Sequence, residues 1–279
     1  METPKELIEA RPKIQDQAAM QDLLEKTREV GRVLQSNNNI GKPDYPKLAR
    51  LMSDLLVANV YVMDKKGKLL GYAWISDYDC SIMTDILLAE SMPDSYVAKM
   101  NNVYESVLNY TDHGLCAYAD QPCTYSNKNV LIVPINGSGE RLGTLILARF
   151  GYQFDTRDLV LAEYLSTVFA LEMLNDRGRL IEERSREFIV VQMAMKVLSY
   201  SEVESMRHVI KELDSCEGIV IASKVADRVG VTRSVIVNAL RKLGSAGILE
   251  SRSLGMKGTY IKILSSVFLE ELGVTLSKK

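Results

Sequence analysis

Apolar residues recur every three or four positions over residues 20–36, placing Leu23, Leu24, Thr27, Val30 and Leu34 on one face and predicting a helix. The polar run 37–42 (NNNIGK) ends it. Residues 43–57 predict a second helix, with Leu48, Leu51, Met52 and Leu55 on one side. The period then shortens. Residues 59–63 (NVYVM) and 68–74 (KLLGYAW) predict two strands around the turn 64–67, where Gly67 supplies a positive φ. Residues 80–102 predict mostly helix with a restart at Pro93, and 104–129 is irregular and polar. A second hairpin pairs 130–135 with 141–149 across Asn136-Gly-Ser-Gly-Glu140. Its first arm is almost wholly apolar, as a buried central strand requires. From Asp155 a long helix carries Leu159, Leu161, Ala162, Leu165, Val168, Phe169 and Leu171. The order helix, hairpin, helices, hairpin, helix is that of a small GAF- or PAS-type sensor domain. Such a domain has one antiparallel sheet, with helices on one face and loops over a cavity on the other.

Residues 176–187 are densely charged and predict a solvated helical connector. The apolar stretch 188–195 that follows is expected to pack on a domain or on a second subunit. Residues 201–213 predict an amphipathic helix with Val203, Met206, Val209, Ile210 and Leu213 inward, and Ile219 and Val220 form a short apolar stretch.

Residues 222–241 meet the demands of a helix-turn-helix. The first helix needs a small residue facing its partner, here Ala226. The turn needs a residue that tolerates positive φ, Gly230, followed by an apolar plug, Val231. The second helix needs an N-cap, Thr232, and a buried face: Val235, Ile236, Ala239, Leu240 and Leu243. Two alternating strands, 248–252 and 259–263, enclose a loop with two glycines and Lys257, which reads as a wing. The candidate DNA-binding residues are therefore Ala222, Ser223 and Lys224 on the first helix and Thr232, Arg233, Ser234, Val237, Asn238, Arg241 and Lys242 on the second. Arg252 and Lys257 of the wing complete the set. Arginine pairs with guanine and asparagine with adenine in the major groove. Ser234, Lys224 and Lys242 suit phosphate contacts, and Arg252 and Lys257 suit backbone contacts.

Charge sharpens this picture. The 279-residue chain has a formal net charge of -2, which alone argues against nucleic acid. Residues 222–262, however, contain eight basic and two acidic side chains, a net +6, so the remainder nets -8. A local basic block is the relevant footprint. The four cysteines, 80, 116, 123 and 216, lack paired spacing and read as reduced thiols. His113, Cys116 and Cys123 match no standard zinc spacing, and no metal site is expected. His208 reads as a surface or satisfied polar group. No apolar run reaches the ~20 residues of a membrane span, no signal peptide is visible, and a cytoplasmic protein is expected. No nucleophile–base pair or paired acids emerge, so an enzyme is not expected. A winged helix used only for protein contacts is the main competing reading.

The blocks ASKVADRVGVTRSVIVNALRKL and SAGILESRSLGMKGTYIKIL resemble the CodY family of global repressors of low-GC Gram-positive bacteria. The resemblance extends to LLEKTR at 23–28, KKGKLLGY at 65–72, GERLGTLIL at 139–147 and DLVLAEY at 158–164. It implies an α+β chain: a GAF-type sensor domain at 20–175, a linker helix at 176–200 and a winged helix-turn-helix at 201–279, with 1–19 an extension or tag. It also implies a homodimer on promoter DNA, with branched-chain amino acids and GTP as effectors. Nucleotide contacts of the family carry over to Asp64, Lys65, Lys68, Glu172 and Arg177; Asp64 stands where the family usually has serine. The amino-acid pocket carries over to Ile82, Met83, Ile86, Met92, Pro93 and Tyr96, which read equally as plain core. Ile82 stands where the family has the arginine that grips the ligand carboxylate, and no Lys or Arg occurs from 69 to 98. A buried carboxylate without a cation is costly. The resemblance implies a repressor that senses branched-chain amino acids, GTP or both; the alternative is a regulator whose sensor does not bind isoleucine in the family manner and responds to another effector or to GTP alone.

Overall fold

The computed structural model describes residues 14–36, 42–75, 80–111, 116, 123, 125, 127–213 and 215–274. The chain divides into two compact units, Met1–Arg177 and Gly178–Lys279.

The first unit is built on a five-stranded antiparallel sheet in the order β2-β1-β5-β4-β3. The strands are β1 (Asn59–Asp64), β2 (Leu69–Ala73), β3 (Val107–Tyr110), β4 (Lys128–Gly137) and β5 (Glu140–Phe150). Both predicted hairpins form: Val60 faces Ala73 across β1 and β2, and Val133 faces Leu145 across β4 and β5. Strand side chains alternate between faces, and each face has its own core. Val60, Val62, Leu131, Val133, Leu145 and Leu147 pack under α2 (Tyr45–Leu56) and the start of α5 (Thr156–Lys196). Tyr61, Met63, Val130, Ile132 and Ile146 pack under α3 (Ser81–Ala89) and α4 (Asp94–Asn101). Among the described residues, two short helices cover the second face. Coverage on both sides explains why the middle of β4 is buried at every position.

Gly143 allows the central strands to meet. A Cβ at that position would lie 2.2 Å from the Met63 carbonyl oxygen. Arg149 of β5, only 4 % exposed, is neutralised by Asp158 at 2.8 Å and donates to the Gln153 carbonyl. Its guanidinium also lies over the Phe154 ring.

α1 (Ile14–Ser36) starts inside the segment read as an extension. Val30 is fully buried and Leu23 and Leu34 partly so, but Leu24, assigned to the same face, is 41 % exposed. β3 lies in the stretch read as irregular. The charged run at 176–187 is helical and mostly exposed, as expected, and is continuous with the helix before it in one 41-residue helix, α5.

In the second unit, α6 (Tyr200–Leu213), α7 (Ala222–Val229) and α8 (Arg233–Ser245) stand with a three-stranded sheet ordered β6-β8-β7 and a closing helix α9 (Ser266–Glu271). The strands are β6 (Glu217–Val220), β7 (Leu249–Ser253) and β8 (Thr259–Ile263). Met206, Val209, Ile210, Val225, Ile236, Leu243, Ile261 and Phe268 form its core. Val191, Ala194 and Leu198 join this core, whereas Phe188, Ile189, Val190 and Met193 stay exposed. The apolar stretch 188–195 therefore divides between packed and open positions.

Candidate nucleic-acid interface

The interface is assembled from α7, the turn after it, α8 and the β7–β8 wing. Gly230 ends α7 at φ 74°, and its N–H returns to the Ala226 carbonyl, a left-handed cap that favours glycine. Val231 packs against the core behind the turn. α8 then buries Ile236, Ala239, Leu240 and Leu243, with Val235 half-buried. These contacts leave Arg233, Ser234, Val237, Asn238 and Arg241 exposed on the other side. Arg241 Nη2 donates to Asn238 Oδ1 at 3.4 Å, so the two candidate base readers sit together one turn apart.

The wing forms as expected. β7 and β8 pair from Leu249–Ile263 to Ser253–Thr259, and one turn of 3-10 helix at Gly255–Lys257 closes the tip. Arg252 and Lys257 are exposed, and Met256 projects fully into solvent. β6 adds a third strand to β8, an element that the sequence showed only as Ile219 and Val220.

Three residues depart from the roles assigned to them. Ala222 is 7 % exposed and belongs to the core, so its methyl group is closed to a ligand; Ser223 and Lys224 beside it are exposed. Thr232 occupies the N-cap position of α8 with extended backbone, but its hydroxyl makes no capping bond and instead meets Ser234 Oγ at 2.7 Å. Lys242 does not stand free on the outer face. Its Nζ lies 2.7 Å from Glu202 Oε2 and donates to the Val197 carbonyl at 3.0 Å. Sequence reasoning missed Glu202 and Ser199. The signal was available: Ser199-Tyr-Ser-Glu202 is a capping box at the start of α6.

Among the basic residues of this unit, Arg228 is also engaged, with Glu212 at 2.7 Å. Lys224, Arg233, Arg252 and Lys257 carry no ion pair among the described residues. Their charge is available to an anionic partner.

Two family models match the chain, a CodY GAF-like domain over residues 22–197 and a CodY helix-turn-helix domain over residues 216–274. The chain is 49 % identical over 256 residues to the global transcriptional regulator CodY of Clostridium botulinum strain Hall, covering 91 % of this chain and 98 % of that one. It is 47 % identical over 255 residues to the same regulator of Clostridium kluyveri, with the same shares covered. The chain belongs to the CodY family. Among solved structures, it resembles the cofactor-binding GAF domain of the nutrient sensor CodY from Clostridium difficile. That match has 29 % identity and a TM-score of 0.37, and it covers 55 % of this chain and 97 % of that one. By the family models, the chain pairs a CodY GAF-like domain with a CodY helix-turn-helix domain.

Within the CodY GAF-like domain, the structure brings part of the carried-over nucleotide set together. Lys65 and Arg177 meet at one carboxylate, that of Glu140: Lys65 Nζ lies 3.4 Å away and Arg177 forms an ion pair with it. The bond from Arg177, with help from Lys65, holds the Glu140 carboxyl below its ordinary value. Lys68 is exposed on the same hairpin. Asp64 has a backbone role: Oδ1 accepts from the Lys66 and Lys68 N–H groups at 2.8 and 2.9 Å, which fixes the turn. Glu172 lies near Tyr45, whose phenol is pushed up by burial first and then by Asp176 and Glu172.

The carried-over CodY amino-acid pocket positions do converge. Met83, Ile86, Met92 and Tyr96 are at most 6 % exposed and share one cluster, with Ile82 packed against it and Pro93 half-buried. Arg141 of β5 reaches the end of α4. Its N–H groups donate to the carbonyls of Gly143, Val103 and Met100 and to Thr144 Oγ1. Among the described residues, no three His, Cys, Asp or Glu side chains form a metal site, and no helix is long and apolar enough to cross a membrane. His113 lies outside the described residues.

Proposed function

We propose that this chain is a repressor that binds promoter DNA through α8 and the wing as a homodimer. The observation that carries the DNA reading is the exposed row Arg233, Ser234, Asn238 and Arg241 on a helix whose opposite side is fully committed to the core. Residues at the start of such a helix meet base edges. Exposed Lys224, Arg252 and Lys257 flank that row and suit phosphates, which position the protein on the duplex. Bound at a promoter, the protein blocks polymerase sterically. Its affinity falls steeply with salt as counterions are released.

The dimer reading rests on α5. Leu180, Ile181, Phe188, Ile189, Val190 and Met193 are between 44 % and 66 % exposed. Large apolar side chains left exposed on one helix are candidates for burial in an interface, and a second copy of the same helix is the occupant that a repressor on a two-fold operator requires. Sedimentation of the purified chain checks this: a monomer at micromolar concentration contradicts it.

The sensor is proposed to have left the family's amino-acid chemistry. Isoleucine brings a carboxylate that needs a buried cation. Ile82 supplies none, and Arg141 has its donors committed to backbone carbonyls and Thr144. The residues present do not fit that ligand. GTP fits better, because Lys65 and Arg177 supply cations at one corner of the domain and Lys68 is exposed on the same hairpin as Lys65. Calorimetry with isoleucine, valine and leucine tests the reading. No heat of binding is expected, and micromolar binding of any of the three overturns it.

A further inference from the structure

The recognition helix is fastened inside its own domain by one ammonium group. Ser199 and Glu202 cap α6 reciprocally: the Glu202 N–H donates to Ser199 Oγ at 3.3 Å, and the Ser199 N–H donates to Glu202 Oε2 at 2.7 Å. The Glu202 side chain is only 8 % exposed. A carboxylate buried to that depth needs a cation, and Lys242 provides it from the last turn of α8. The same Nζ donates to the carbonyl of Val197, the residue after the end of α5. Two of its three donors are thereby committed. One side chain ties the end of α5, the start of α6 and the end of α8 into one joint.

We infer that Lys242 is a positioning residue, which sets the recognition helix against the α5–α6 junction and does not touch DNA phosphate. This rests on the reading of α8 as the DNA-reading helix. To reach a phosphate, the ammonium would have to abandon Glu202 and leave a buried carboxylate unpaired. A solvent-screened phosphate contact returns less than that costs.

Glu202→Gln in the full chain separates the two roles. The substitution keeps shape and removes charge at a residue too buried to meet DNA. If Lys242 is a strut, releasing it loosens α8. Affinity for a duplex selected from a random pool by the wild-type protein then falls about tenfold, a mid-range value for contacting residues. The slope of log affinity against log salt is unchanged. If Lys242 is a phosphate contact, the freed ammonium strengthens binding and steepens that slope, which overturns the inference. Lys242→Met gives the reciprocal reading: an unchanged slope supports the strut, and a slope flattened by about one overturns it. A urea-unfolding cycle on Lys242→Met, Glu202→Gln and the double variant does not depend on DNA. Coupled effects support the joint and additive effects refute it. Failure of the wild type to select any duplex would count against the DNA reading and leave that cycle decisive for the joint.

Discussion

The candidate DNA surface and the candidate nucleotide corner treat their cations differently. In the C-terminal unit, Lys224, Arg233, Arg252 and Lys257 are exposed and carry no ion pair among the described residues. In the N-terminal unit, the cations carried over as phosphate contacts are partly neutralised by the chain itself, Lys65 and Arg177 by Glu140. Asp64 is absorbed into its hairpin turn, and the pocket positions around Ile82 are apolar and share one buried cluster. A surface whose charge is left available is built to receive a large anion. A corner whose cations share a carboxylate must exchange that partner before it can bind one. On the proposed reading, DNA meets the surface as it stands, whereas a nucleotide at the N-terminal corner would have to displace Glu140 from Lys65 and Arg177.

The sharpest way to break this contrast is to remove the two paired readers. Arg241→Ala and Asn238→Ala should each weaken specific binding by about 1–3 kcal/mol, and the double variant should lose about a hundredfold or more. Fluorescence anisotropy on a selected duplex measures this. Wild-type affinity in the double variant would remove α8 from the interface.

A smaller effect is expected at the turn that aims the helix. Gly230→Ala places a Cβ at φ 74°, where nothing else lies within 4 Å, so strain alone acts. About 1–2 kcal/mol of stability is the scale of that strain, readable by urea unfolding.

Acid tests the joint between α6 and α8. Burial raises the Glu202 carboxyl, but the bonds from Lys242 and the Ser199 N–H outweigh it, and the group sits below its ordinary 4.5. A carboxylate lowered by folding contributes stability that is present above the unfolded value and lost as pH falls through the folded one. The C-terminal unit should therefore weaken as pH drops below 4.5, and Glu202→Gln should lessen that dependence. An identical pH profile in that variant would exclude Glu202 as the source.

The smallest effect concerns the N-terminal cations. Glu140→Gln frees Lys65 and Arg177 from a solvent-screened pair, so GTP affinity should rise only modestly, by up to about fivefold. A decrease would mean that Glu140 supports the nucleotide rather than competing with it.

Much of this was legible in the sequence where the signal was local. Gly230, Val231 and the spacing of Ile236, Ala239, Leu240 and Leu243 define the helix-turn-helix within two turns of chain, and the structure keeps that register. Both long hairpins announced themselves through alternating or fully apolar runs. β3 did not, because it is four residues long, meets β4 through only two register pairs, and includes Asn109 at φ 54°. No alternation survives such a bend. α5 was read in two pieces because a dense run of charges resembles a connector, although charge on an exposed helix is compatible with continuity. The ion pair of Lys242 leaves no local signal because its partner lies 40 residues away. Helical spacing states which face a side chain leaves from; it does not state what waits at the end of a long one. The corner where Lys65, Glu140 and Arg177 meet was least legible for the same reason, being assembled from the β1–β2 turn, β5 and α5.

The most direct test of the contrast between an intact reader and an altered sensor is the affinity of the full chain for its selected duplex as isoleucine is titrated. Tight, salt-dependent binding that isoleucine leaves unchanged is the predicted result. Binding that appears or strengthens only when isoleucine is added would contradict it.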